Sequence, residues 1–190
     1  ANTSGEYNVA IGHEALKTNT TSNGNTAVGH YALRLNTGAK NVAVGTNAGT
    51  AISTGITNTA VGYNALDDCT TGGENTAVGE QALTSVTTGT ANTAVGQGAL
   101  QSNVTGANNT AVGQVALRDN TGDHNTAVGE EALKVNTTGS GNVAVGRNAL
   151  RANTTSSNNT AIGDNALLVN VTGLDNTAIG AACLDANTGN

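Results

Sequence analysis

One clause recurs along the whole chain. Asn-Thr/Val-Ala-Val/Ile-Gly begins at Asn8, Asn25, Asn41, Asn58, Asn75, Asn92, Asn109, Asn125, Asn142, Asn159 and Asn176. The 11 copies lie 17 residues apart, except for two gaps of 16. Self-similarity at a short fixed period marks an architecture of stacked units, none of which buries its apolar face alone. Both short gaps lose a residue at one place, where Asn36-Thr37-Gly38 and Asn120-Thr121-Gly122 stand for the usual Asn-Thr-Thr-Gly. A length change confined to one spot marks a loop.

Counted from its Asn, the unit reads N-[TV]-A-[VI]-G-x-x-A-L-x-x-N-T-T-G-x-x over slots one to 17. That is too short for a pair of helices, which needs about 33 residues or more. Thr-Ala-Val alternates and is β-branched, and Ala-Leu-x-x is short and bounded by turn residues. Two short strands and two turns therefore make one coil of an all-β, parallel β-solenoid, a β-roll of about 11 coils of 16–17 residues. At about 4.8 Å per coil the rod is roughly 50 Å long. Residues 1–7 read as the tail of a preceding coil and 8–190 as one continuous array, a segment of a longer fibre. Neither end carries the polar capping unit that repeat arrays normally need.

The columns sort themselves. Slot four is always Val or Ile, and slot two is Thr in eight copies and Val in three (Val9, Val42, Val143). Side chains alternate along a strand, so these two slots share a face and the invariant Ala of slot three points the other way. We expect Val and Leu inside the coil, and the Ala face against a second surface that approaches closely. All seven basic and 13 acidic residues fall in slots six, seven, ten, eleven or the two before the next Asn. A buried charge costs several kcal/mol, so the charge-free columns are the packed ones. Asn fills slot one throughout and slot twelve in eight copies. Identical amides one strand spacing apart form hydrogen-bonded ladders, and Asn and Gly suit tight corners.

Composition closes off other classes. With 11% charged residues, a net charge of -6 and abundant Thr, Val and Ile, the chain does not fit disorder. An acidic chain without a basic run is no nucleic-acid binder. No apolar run reaches the roughly 20 residues that cross a bilayer, so no membrane insertion is expected of this segment. Aromatics are 2%, with no Phe or Trp, which leaves a thin core of small aliphatic groups. A buried Val or Leu stabilises by about 1.5–3 kcal/mol, against about 1–2 kcal/mol of backbone ordering for each residue. A thin core of this kind calls for oligomerisation.

The stretch Asn8-Val9-Ala10-Ile11-Gly12 resembles the head repeat of trimeric autotransporter adhesins, the YadA-like head, whose pattern is roughly S-V-A-I-G-x-x-A at a shorter period. With Ala-Leu and Asn-Thr-Thr-Gly the unit is also similar to repeats of phage and bacterial tail-fibre and surface-fibre proteins. The resemblance covers essentially the whole chain. It implies a left-handed β-roll, a homotrimer, and an adhesive fibre segment outside a cell or on a virion surface, attached to a glycan or protein receptor.

No catalytic constellation is present, and neither a phosphate loop nor the calcium-solenoid pattern occurs. No cofactor or metal is expected. His13 and His30 share slot six of adjacent coils, roughly 5 Å apart with Glu14 nearby, and read as an ordinary exposed pair. His124 is likewise in a variable slot. Arg118, Lys134 and Arg151 stack in slot ten of three consecutive coils, an exposed contact ladder whose charges should face acids such as Asp119 or a neighbouring chain. Glu130, Arg147 and Asp164 alternate in sign in slot six, as ladder pairs do. Cys69 and Cys183 lie seven coils apart, about 34 Å, and cannot bond to each other within one chain. The runner-up function is ice binding through the Thr column of Thr59, Thr76, Thr93, Thr110 and Thr126.

Overall fold

The computed structural model describes residues 2–187 and 189. The chain winds as a parallel β-solenoid. Each unit contributes one three-residue strand: Val9–Ile11 (β1), Thr26–Val28 (β2), Val42–Val44 (β3), Thr59–Val61 (β4), Thr76–Val78 (β5), Thr93–Val95 (β6), Thr110–Val112 (β7), Thr126–Val128 (β8), Val143–Val145 (β9) and Thr160–Ile162 (β10). Val169–Asn170 (β11) and Ala186–Asn187 (β13) flank Thr177–Ile179 (β12) in sequence and pair with each other. β1 to β10 and β12 form one 11-stranded parallel sheet in chain order. The register holds across both 16-residue coils, with Ala27 opposite Ala43 and Ala111 opposite Ala127. Thr188 of the closing turn lies outside the described residues. No helix among the described residues is long and apolar enough to cross a membrane.

Two expectations are corrected. The first is the second strand of each coil. The Ala-Leu wall is a succession of turns, with slots seven, nine and 17 left-handed, as at Gln81 (φ 57), Leu83 (φ 50) and Ala91 (φ 56). The wall still bonds from coil to coil, Leu83 N–H to Ala99 C=O at 3.0 Å and Gln81 N–H to Tyr63 C=O at 2.9 Å. A left-handed Leu costs roughly 1–2 kcal/mol. Its complete burial offsets that cost, since Leu66, Leu83, Leu100 and Leu117 are all 0% exposed.

The second correction is the side. The Ala of slot three points into the coil and is fully buried in β2 to β10, beside the Ala of slot eight and the Leu of slot nine. Val and Thr of slots four and two point outward. The alternation is as expected, but the two faces are exchanged. The coil is too thin to take β-branched side chains from one wall against Leu from the other. An Ala methyl fills the remaining gap, so the close surface implied by the Ala column is the coil's own far wall.

Neighbouring coils press equally close at slot five. A Cβ on Gly79 (φ 136) would lie 2.6 Å from Gly96 O, so only glycine serves there. One coil departs from the Leu column, and its neighbour in the core compensates. Gly49 replaces Leu while Ile52 replaces the slot-twelve Asn, and Ile52 is fully buried in the space the missing Leu leaves. A Cβ on Gly49 would stand 2.9 Å from Ile52 Cδ1.

The amides form the ladder expected. Asn75 N–H donates to Asn58 Oδ1 at 3.0 Å, Asn75 Nδ2 donates to Gly89 O at 2.9 Å, and Asn92 Nδ2 donates to Asn75 Oδ1 at 3.1 Å. Each buried slot-one amide thus ties one coil to the next and closes a corner carbonyl. Fully satisfied polar groups of this kind fix the register of a thin core.

Candidate functional site

The outward face of the long sheet is continuous over all 11 strands. Val95, Val112 and Val128 are each 37% exposed, and Ile11 and Ile179 at the two ends rise above 60%. Thr59, Thr76, Thr93, Thr110 and Thr126 flank them in slot two, half-buried on the same face. The register keeps Thr and Val in two files from Thr59 to Val128, and Val42 and Val143 interrupt the Thr file on either side. The face carries no charge. It presents methyl groups and hydroxyls at strand spacing, which suits either a matching surface or ordered water.

The turn wall carries charges, and six of the seven basic residues form ion pairs. Arg118 meets Asp119 at 2.6 Å. Lys134 meets Glu131 at 2.6 Å, and Arg151 Nε reaches the other oxygen of Glu131. The slot-ten ladder is therefore a chain of local ion pairs, with the acids in slots seven and eleven. The Lys134 bond, followed by that of Arg151, holds the Glu131 carboxyl below its ordinary range. Arg118 does the same for Asp119. Arg147 pairs with Asp164 one coil on at 2.9 Å, so the slot-six alternation is a coil-to-coil bridge.

At the other end His13 and His30 stack with ring centroids 5.3 Å apart and planes at 14°. The neighbours that complete the cluster, Tyr31 and Arg34, escaped the sequence reading. His30 lies 3.7 Å from the Tyr31 ring and the Arg34 guanidinium 4.8 Å over it. Their slots, seven and ten, border slot six and could have announced the contact. Glu14 does not face the imidazoles as a free ligand. It bonds Lys17 and Arg34, both at 2.7 Å, and the Lys17 bond foremost lowers its carboxyl. Among the described residues no group of three or more His, Cys, Asp or Glu is placed to hold a metal ion.

Cys69 stands in the slot-twelve column, fully buried, its Sγ donating to Gly72 O at 3.4 Å. Burial pushes the thiol up to about 11. Such a group stays protonated and unreactive at neutral pH. Cys183 is half-buried, and both cysteines are free thiols.

No family model matches the chain, and neither a curated protein nor a solved structure does.

Proposed function

We propose that the chain is a rigid segment of an adhesive or structural surface fibre, and that it assembles as a homotrimer through the outward Val/Thr sheet. The observation that carries this reading is the uncovered Val/Ile file. A single coil closes its own interior with Ala and Leu, yet leaves β-branched apolar side chains facing out along the whole array. Contiguous apolar surface of this length marks an interaction face. Three sheets packed about a common axis would cover it and thicken the core. The fibre then acts by distance and repetition: a stiff shaft holds the paired, variable slots of the turn wall outward, where a glycan or protein receptor outside the cell or virion would be engaged many times over. Sedimentation equilibrium tests the assembly. The mass of three chains is expected, and a monomer at micromolar concentration would overturn it.

Ice binding is the second reading, and one observation favours it. The Thr column points outward on the same regular sheet rather than into a core, with Thr neighbours in register. A monomer with thermal hysteresis would establish it in place of the fibre.

A further inference from the structure

We infer that each 16-residue coil holds one ordered water molecule against the coil before it, at Asn19 and at Asn103. The regular corner shows what is missing there. Asn136 Nδ2 donates both to Gly139 O, three residues on, and to Asn120 Oδ1 in the coil before, each at 2.7 Å. Asn153 repeats this with Ser156 O at 2.9 Å and Asn136 Oδ1 at 2.8 Å. At Asn136 the three backbone N–H groups of the corner also converge on one carbonyl of the next coil, whereas those of Thr154, Thr155 and Ser156 at Asn153 meet no backbone carbonyl among the described residues. Thr137, Thr138 and Gly139 donate to Thr154 O at 2.7, 3.2 and 3.4 Å.

The shortened corners break the amide ladder. With a residue lost, Asn36 and Asn120 reach only two residues on, to Gly38 O at 2.9 Å and Gly122 O at 2.8 Å. Their Nδ2 groups therefore make no bond to the coil before. The Oδ1 atoms of Asn19 and Asn103 are left buried and without a partner, on residues 1% and 0% exposed. On these same two coils, the N–H groups of Thr20, Thr21 and Ser22, and of Val104, Thr105 and Gly106, find no backbone carbonyl among the described residues.

The chemistry of the ligand follows from these two orphaned sets. Oδ1 needs a donor and the N–H groups need an acceptor at one small place. An anion would oppose the amide oxygen, and a cation would oppose the N–H groups. Water supplies both, and buried waters typically make about three hydrogen bonds to groups of this kind. Thr20, Thr21, Val104 and Thr105 are exposed, so solvent reaches the corner.

A crystal structure at atomic resolution tests the inference. One solvent peak is expected at each site, about 2.7–3.2 Å from Asn Oδ1 and from at least one of the named nitrogens. No peak, or an amide turned so that Oδ1 accepts from a protein group, would overturn it. Inserting a threonine after Thr121 restores the full corner. The peak at Asn103 should then be lost while that at Asn19 remains, and persistence of the Asn103 peak in the inserted chain would contradict the assignment.

Discussion

Ala94 and Val95 are neighbours in one strand, and their surroundings have almost nothing in common. Ala94 is sealed between its own coil's walls, whereas Val95 is 37% exposed on a face that no other part of the chain covers. The inner face can be satisfied by one chain, since Ala, Ala and Leu close it. The outer face is left open. On the proposed fibre reading, the fold of the coil and the assembly of the trimer lie in alternate residues of the same strand, and substitutions should separate them.

The largest contrast is expected between Leu100→Ala and Val95→Ala. Leu100 is fully buried, and its truncation should cost about 2–5 kcal/mol in chemical denaturation. Truncating Val95 should change the stability of an isolated chain by less than about 0.5 kcal/mol, as at other surface sites, and should instead weaken association. Next comes the compensated coil. Gly49→Leu alone overpacks against Ile52 and should cost about 1–3 kcal/mol. Combined with Ile52→Asn it restores the consensus, so the pair should be strongly non-additive in a double-mutant cycle.

Asn92→Ala removes the acceptor of the buried Asn109 N–H, and a loss of about 1–3 kcal/mol is expected by denaturation. The smallest effect belongs to the turn wall. The Glu131 carboxyl lies below its ordinary value of 4.5 in the folded chain, so its contribution is full above that value. It is lost as pH falls through the lower folded value. The partners are partly exposed, which limits the effect to under about 1 kcal/mol. Glu131→Gln should flatten the acid limb of a melting-temperature profile by that small amount.

Much of this was legible in the residues. The period set the coil, charges marked the solvated slots, the Asn columns became ladders, and His13 and His30 stand at the coil spacing. Sidedness was not legible. Alternation fixes which residues share a face and leaves open which face is inner. That choice depends on the thickness of the coil, which the far wall sets.

The second strand misled for a different reason: propensity gives no warning of a left-handed Leu. The exceptions did hold the signal. Gly98 falls in slot seven, Gly49 in slot nine, and Gly24 and Gly141 in slot 17, all with φ between 60 and 70. Asn47, Asn64, Asn148 and Asn165 in slot seven are the residues next best suited to that backbone. Reading those substitutions as backbone requirements would have placed the turns. The orphaned amides at Asn19 and Asn103 needed the coordinates, because the missing residue lies in the neighbouring coil rather than in their own.

The exchange of faces is tested most directly by placing one charge on each, Ala94→Asp and Val95→Asp, and recording circular dichroism and mass together. Ala94→Asp is expected to lose the β-sheet signal, because the coil offers a buried carboxylate no partner. Val95→Asp is expected to keep that signal while the proposed trimer dissociates. The opposite order, with Ala94→Asp folded and Val95→Asp unfolded as a lone chain, would contradict the account.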